Sequence, residues 1–447
     1  MIYLPLSKQI IYSIGQLGWS TLINIISLTL VYFYIPPEEA GIPFFITQIT
    51  FLGILNLITI IAASGRLFDA ITDPVIAYLS DNFDSKYGRR IPFLALGALP
   101  AGIFCILLFV PPVNGVSNLN IAWVAGIQIL FYLFLTVYVT PYFALLPELA
   151  RDEDERLDLS TYISITFALG MIIASQLPAI ANLLESAFAL QRVQSFQAAI
   201  FLIVALAVLL MYLPVIYIDE NKYCNNQPAK VNIKEAFKTV ASNQNFRYYV
   251  IADFAYFTGI TLINTGLLYY VTVLLLQGEA LVGILMPLMV IVSFAFYPLV
   301  NILAKKFGKK ILVLLSFLMM AVVFGYVYFL GRLPLSSQIQ GYILAILAAM
   351  PMAFLGILPN AILADIAEFD AVQTGNRKEG AFFAGRTLLQ KFGQSAGVFI
   401  FAALTTFGNS PGNDTGIRLS GLVGMSLCLL AAAVFKNYKE EKILEQI

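Results

Sequence analysis

Twelve times along its 447 residues this chain runs apolar for about twenty residues or more and then breaks at a short polar segment. That length lets an α-helix cross the hydrocarbon core of a bilayer, where every backbone polar group must be satisfied within the segment. The runs lie at 9–34, 43–80, 93–112, 120–147, 159–182, 196–218, 247–277, 281–303, 311–331, 340–366, 379–407 and 417–435. The expected fold is therefore an all-α integral membrane protein of twelve transmembrane helices. Composition agrees: 60% of residues are hydrophobic and 12% charged, about half the charge of a soluble domain. The second run exceeds one crossing, so it is expected to tilt or to project. The first carries one lysine, Lys8, and no small-residue cleavage site, and is expected to be a span rather than a removable signal.

Several function classes fall away. Formal net charge is zero and no basic domain exists, so no nucleic-acid partner is expected. There is no histidine, which removes the commonest general base, proton relay and metal ligand. The three cysteines, Cys105, Cys224 and Cys428, lack metal-site spacing. Neither an enzyme nor a bound cofactor is expected. Placing both termini in the cytoplasm puts 20 of the 26 basic residues on that side, as the positive-inside rule requires.

The longest polar stretch divides the chain into an N-terminal six-helix bundle (1–218), a cytoplasmic linker (219–246) and a C-terminal six-helix bundle (247–447). Within the linker, KEAFKTVA has the pattern of a short amphipathic surface helix. The halves echo each other: the loop DNFDSKYGRRIPF after the second span has its counterpart in AKKFGKKILVL after the eighth. Parallel six-span repeats are the plan of major facilitator transporters.

The spans carry charges that lipid would not tolerate. RLFDAITDP in the second places Arg66, Asp69 and Asp73 in one narrow helical sector, where a mid-membrane carboxylate costs about 2.5–3.5 kcal/mol on the insertion scale. With Thr72, this sector supplies hard oxygen ligands for a monovalent cation or a carboxylate pair holding one proton; the plainer alternative is a buried ion-pair network locking helices together. In the eleventh span Arg386, Thr387, Gln390, Lys391 and Gln394 share a broad face, with Gly385, Gly393 and Gly397 allowing close approach nearby. That face is expected to line a cavity, Lys391 lying deepest. Trp19 and Tyr142 are looser cavity candidates, and Asp253, near the start of its span, is expected to be interfacial. Asp81, Arg89, Glu148, Arg156, Asp365, Glu368 and Arg377, together with Arg66, are candidate gating charges, against the bland reading of solvated loops.

The segments RLFDAITDPVIAYLSD…GRRIPFL, TPYFALLPEL…DER, NQNFRYYVIADFAYF and ADIAEFDAVQTGNRKEGAFFAGRTLLQKFG resemble the glycoside–pentoside–hexuronide:cation symporters, the melibiose-permease-like branch of the major facilitator superfamily. The resemblance implies two pseudo-symmetric bundles working by alternating access. It implies a cation site of Asp69, Asp73, Thr72 and Thr136, with Lys391 as the coupling lysine. Sodium and protons both stay open as coupling ion. The acidic and basic residues with which melibiose-type permeases hold sugar are replaced here by Ser20, Val139 and Ser164. The expected function is thus cation-coupled symport of a small organic solute, a sugar or glycoside first, by a monomer in the inner or plasma membrane. The alternative is a lysolipid-like amphiphile carrier on the same scaffold.

Overall fold

The computed structural model describes residues 4–49, 57–149, 153–224, 243–374 and 379–444. Arg377 and the KEAFKTVA segment lie outside the described residues, as do the side chains of Arg66 and Arg156. Regular structure among the described residues is helical apart from one isolated bridge between Ser410 and Asn413.

The chain divides into two compact units: residues 1–229 with 279–283, and residues 230–278 with 284–447. The first contains α1 (Leu6–Tyr34), α2 (Leu57–Asp81), α3 (Ile91–Leu107), α4 (Asn118–Leu149), α5 (Glu153–Ser175), α6 (Leu177–Phe188), α7 (Arg192–Tyr217) and the short α8 (Glu220–Tyr223). The second contains α9 (Gln244–Tyr269), α10 (Val282–Phe307), α11 (Lys309–Phe329), α12 (Ser337–Thr374), α13 (Glu379–Leu404), α14 (Thr415–Phe435) and α15 (Glu440–Leu444). The first two residues of α10, Val282 and Gly283, pack with the first unit.

Nine helical segments among the described residues are long and apolar enough to cross a membrane, and α3 is a shorter apolar helix. Two long helices stand outside that set, α2 and α13. These are the two whose apolar runs are interrupted by Arg66, Asp69 and Asp73, and by Arg386, Gln390, Lys391 and Gln394.

Each unit repeats the same internal packing. In the first, α1 lies against α5 and α7, and α3 against α4 and α7. In the second, α9 lies against α13 and α14, and α11 against α12 and α14. The loop echo seen in the sequence has a matching structure. Gly88 (φ +99°) precedes α3 and Gly308 (φ +83°) precedes α11. The Glu220 carboxylate accepts hydrogen bonds from the backbone N–H groups of Arg89 (2.9 Å), Arg90 (2.8 Å) and Ile91 (3.0 Å). Glu440 accepts likewise from Lys309 (2.7 Å) and Lys310 (3.0 Å). A helix start leaves such donors unpaired and carries partial positive charge, so an anion there is favourable. A Cβ on either glycine would run into the carboxylate, which fixes both residues as glycine beyond the demands of φ.

Three boundaries differ from the sequence reading. The expected span 159–182 is two helices, because α5 ends at Ser175 and Pro178 sits in the first turn of α6, where its missing N–H costs nothing. The described helix of the second span begins at Leu57, while residues 41–49 are non-helical and Phe45 O accepts from Asn120 Nδ2 and Ser117 N. Residues 279–283 pack with the first unit, where Glu279 accepts from Tyr32 OH (2.8 Å) and from Arg192 (2.5 Å).

Candidate cation-binding site

The site in the first unit follows from how α2 meets α4. Among the hydrogen bonds that join these helices, Gln128 Nε2 to Ile61 O, Thr136 Oγ1 to Asp69 Oδ1 and Thr140 Oγ1 to Asp73 Oδ1 each link residues 67 apart. A constant offset means that the two helices run parallel in fixed register. Gly65 makes the approach feasible, since a Cβ there would sit 2.2 Å from the Tyr132 ring and 2.4 Å from Gln128 Nε2.

One turn beyond Gly65, that register sets acids against hydroxyls. Asp69 is 7% exposed and Thr136 1% exposed, while Asp73 and Thr140 are half-buried. Thr140 donates to Asp73 at 2.9 Å, and Thr72 Oγ1 lies 3.4 Å from Thr136 Oγ1. Pro74 follows Asp73 directly inside the helix, and its ring nitrogen cannot donate to the carbonyl four residues earlier. Asp69, Asp73, Thr72, Thr136 and Thr140 thus gather hard oxygens on two neighbouring helices, a donor set that suits an alkali cation and excludes soft metals. Thr140 was not singled out in the sequence. The signal was present, because Thr136 and Thr140 repeat the four-residue spacing of Asp69 and Asp73.

In the second unit, Arg386 of α13 pairs with Asp253 of α9. Arg386 Nε donates to Asp253 Oδ2 at 2.9 Å and Nη2 to Oδ1 at 3.3 Å. Arg386 Nη1 donates to Asn360 Oδ1 of α12, and the guanidinium lies 5.8 Å from the Phe257 ring centre. Asp253 is 3% exposed and is the buried partner of Arg386. Gly393 and Gly397 let α13 approach α9, where a Cβ on each would lie 2.7 Å from a backbone oxygen. On the same helix Gln390 and Lys391 are half-buried and Thr387 is exposed.

Two cavity candidates are packing residues here. Trp19 donates from Nε1 to Gln16 Oε1 at 3.1 Å, and its ring contacts Phe143 and Phe167. Tyr142 is fully buried, stacks on Tyr12 at 4.3 Å between centroids, and donates to Tyr12 O at 2.7 Å. Ser20 donates to Phe167 O at 3.0 Å in the α1–α5 contact.

The loop charges of the first unit centre on a residue absent from the gating candidates. Arg90 Nη1 meets Glu148 at 2.8 Å and Nη2 meets Asp81 at 3.0 Å, while Arg89 reaches Glu148 at 3.3 Å. Burial pushes the Glu148 carboxyl above its ordinary pKa, against the opposing pull of Arg90 and Arg89. In the second unit Asp365 pairs with Lys309 at 2.6 Å, and Glu368 is exposed on α12.

A family model described as MFS/sugar transport protein matches residues 11–435, and the chain belongs to that family. It is 24% identical to an uncharacterized symporter of Synechocystis, over 89% of this chain and 85% of that one. It is 22% identical to the lactose permease of Leuconostoc lactis over 86% of this chain, but spans only 60% of that permease. The crystal structure of a D-xylose–proton symporter matches with a TM-score of 0.69 at 14% identity, covering 97% of this chain and 98% of that one. The last likeness concerns the fold alone. The chain is a multi-pass membrane transporter of the major facilitator fold, and not an enzyme.

Proposed function

We propose that this member of the family is a secondary active symporter that couples entry of a cation, Na⁺ or H⁺, to movement of a small organic solute, a sugar or glycoside, by alternating access. The observation that carries the reading is the α2–α4 ladder, in which two acids one turn apart each receive a threonine hydroxyl. Carboxylates at membrane depth are costly to leave charged, so a bound cation that offsets them changes the energy of every conformation that buries them. A cation with different affinities in two conformations shifts the balance between them, which is how its gradient drives cargo. The Leuconostoc lactose permease supports this cargo class, and the Synechocystis symporter supports coupled transport. Lys391 is the residue on which coupling to substrate is proposed to depend. The protein works as a monomer with both termini cytoplasmic, as the distribution of basic residues favours.

The test is a thermal-stabilisation screen of glycosides and lysolipids with and without Na⁺, followed by uptake of the best ligand into vesicles under imposed Na⁺ or H⁺ gradients. Gradient-driven uptake that Asp73→Asn abolishes is expected. Equal uptake by wild type and Asp73→Asn would end the proposal, and stabilisation by lysolipids alone would replace the sugar with an amphiphile.

A further inference from the structure

Between Ala252 and Tyr269, α9 is buried except at Phe254, Phe257, Ile260 and Asn264, which are half-buried. The last three fall within a helical sector of about 60°, since seven residues make almost two whole turns. They form a seam along an otherwise covered helix, and it shuts at Asn264, because residues 265–271 are all buried. Asp253 lies in the same sector, and its partner Arg386 holds its guanidinium 5.8 Å from the Phe257 ring centre. An intramembrane guanidinium faces protein or water and not lipid, so the seam belongs to a polar face of the second unit.

Asn264 stands at the closed end of the seam with its amide uncommitted. Its Oδ1 is shut from solvent and has no hydrogen-bond partner among the described residues. Polar side chains within these helices commonly turn back on the preceding turn. Thr258 and Thr261 of α9 each donate to the carbonyl four residues earlier, and Asn24 of α1 does so with its amide. Asn264 makes no such bond. A buried acceptor left unmade is costly and native structures keep few, so one at the end of an accessible seam is reserved for something that enters it.

We infer that Asn264 is a specificity-determining residue for the solute, accepting a sugar hydroxyl proton at Oδ1 while Phe257 and Ile260 pack against the apolar side of the ring. This rests on the reading of the cargo as a sugar or glycoside. The chemistry of the seam sets the group it takes. An amide oxygen only accepts, so whatever meets it must bring a proton. A hydroxyl brings one, whereas a carboxylate or sulfonate at neutral pH does not. Nor does the neighbouring cation call for an anion, because Arg386 already gives two N–H groups to Asp253. A site built to bond one hydroxyl rejects an analogue that lacks it, which is how this residue would select its cargo.

The probes are the 4-nitrophenyl glucosides and galactosides, with the monodeoxy analogues of whichever binds best. Purified wild type, Asn264→Leu and Asn264→Ala are titrated with each, reading the unfolding temperature. Both variants are expected to bind the parent glycoside roughly tenfold or more weakly, the scale of a polar group left unpaired. One monodeoxy analogue, weak on wild type, should bind wild type and variants alike, because it lacks the hydroxyl that Asn264 meets. Unliganded Asn264→Leu should unfold no lower than wild type, since an apolar side chain replaces an unpaired acceptor. Equal affinity of wild type and variants for the parent overturns the assignment. So does uniform weakening of the parent and every analogue, which would show the amide acting through the fold. A loss of unliganded stability in both variants overturns it too, by showing the amide bonded within the protein. A wild type that no glycoside stabilises overturns the sugar reading itself, and this assignment with it.

Discussion

Asp69 and Asp253 are both almost sealed from solvent, one in each unit, yet their partners differ in kind. Asp69 takes a threonine hydroxyl from α4, as its neighbour Asp73 does one turn on. Asp253 takes two N–H groups of the Arg386 guanidinium, which Asn360 holds from the other side. A guanidinium only donates and keeps its charge at every accessible pH, so the Asp253 pair is complete as it stands. A hydroxyl donates to the acid and still offers lone pairs to something else. The same burial therefore goes with a guanidinium brace in one unit and with threonine hydroxyls in the other.

The harshest way to break that contrast is to remove one charge from the brace. Arg386→Met leaves Asp253 buried beside no guanidinium and should cost about 3–5 kcal/mol of stability, read by thermal unfolding in detergent. The double variant Arg386→Met/Asp253→Leu should recover most of it, because a well-packed apolar pair commonly replaces a buried ion pair without loss. Asp69→Asn and Asp73→Asn, by contrast, should keep the fold and lose the cation response. If the double variant folds well but no longer binds the solute, Arg386 belongs to the transport site and the contrast fails.

A smaller loss is expected from Gly65→Leu, which forces α2 away from Tyr132 and Gln128. Overpacking of this kind costs about 1–3 kcal/mol, and here it should also weaken the Na⁺ response by pulling both acids off their threonines. An unchanged response would mean that the α2–α4 register does not set the site.

Glu220 offers a third kind of compensation, since backbone N–H groups of the α3 start meet its carboxylate. Glu220→Gln keeps the shape and loses the charge, so about 1–2 kcal/mol should go, by the same unfolding measurement, as for other charge-assisted hydrogen bonds. Glu440→Gln should lose less, because only two such N–H bonds are made to it against three for Glu220.

The mildest effect is on pH dependence. Burial raises the Glu148 pKa in the folded protein, so the folded state binds this proton more tightly than the unfolded chain. Its contribution is full below the unfolded value near 4.3 and is lost as pH rises through the raised folded value. The unfolding temperature of wild type minus that of Glu148→Gln should therefore fall as pH increases across that window. A difference that grows with pH would show Arg89 and Arg90 outweighing burial.

The membrane class, the helix count and the two-fold repeat were legible because they depend on local properties. Apolar length decides whether a segment crosses a bilayer, and GRRI and GKKI carry the same cap in both units because glycine and an anion are needed at each helix start. The acids of the second span were legible for a similar reason: a charge in an apolar run is conspicuous anywhere. Thr140 is an ordinary residue until α4 is set beside α2, and Arg90 is one of several basic loop residues until Glu148 and Asp81 converge on it.

By itself, then, the sequence determined which segments enter the membrane and which of them carry a charge that must be answered. Only the tertiary structure decided what answers it: hydroxyls for Asp69 and Asp73, a guanidinium for Asp253, helix-start N–H groups for Glu220. The physical reason is range. Hydropathy and helix starts act within a turn or a span, whereas the partner of a buried charge is chosen by the register between helices far apart in the chain, here set by close approaches such as that at Gly65.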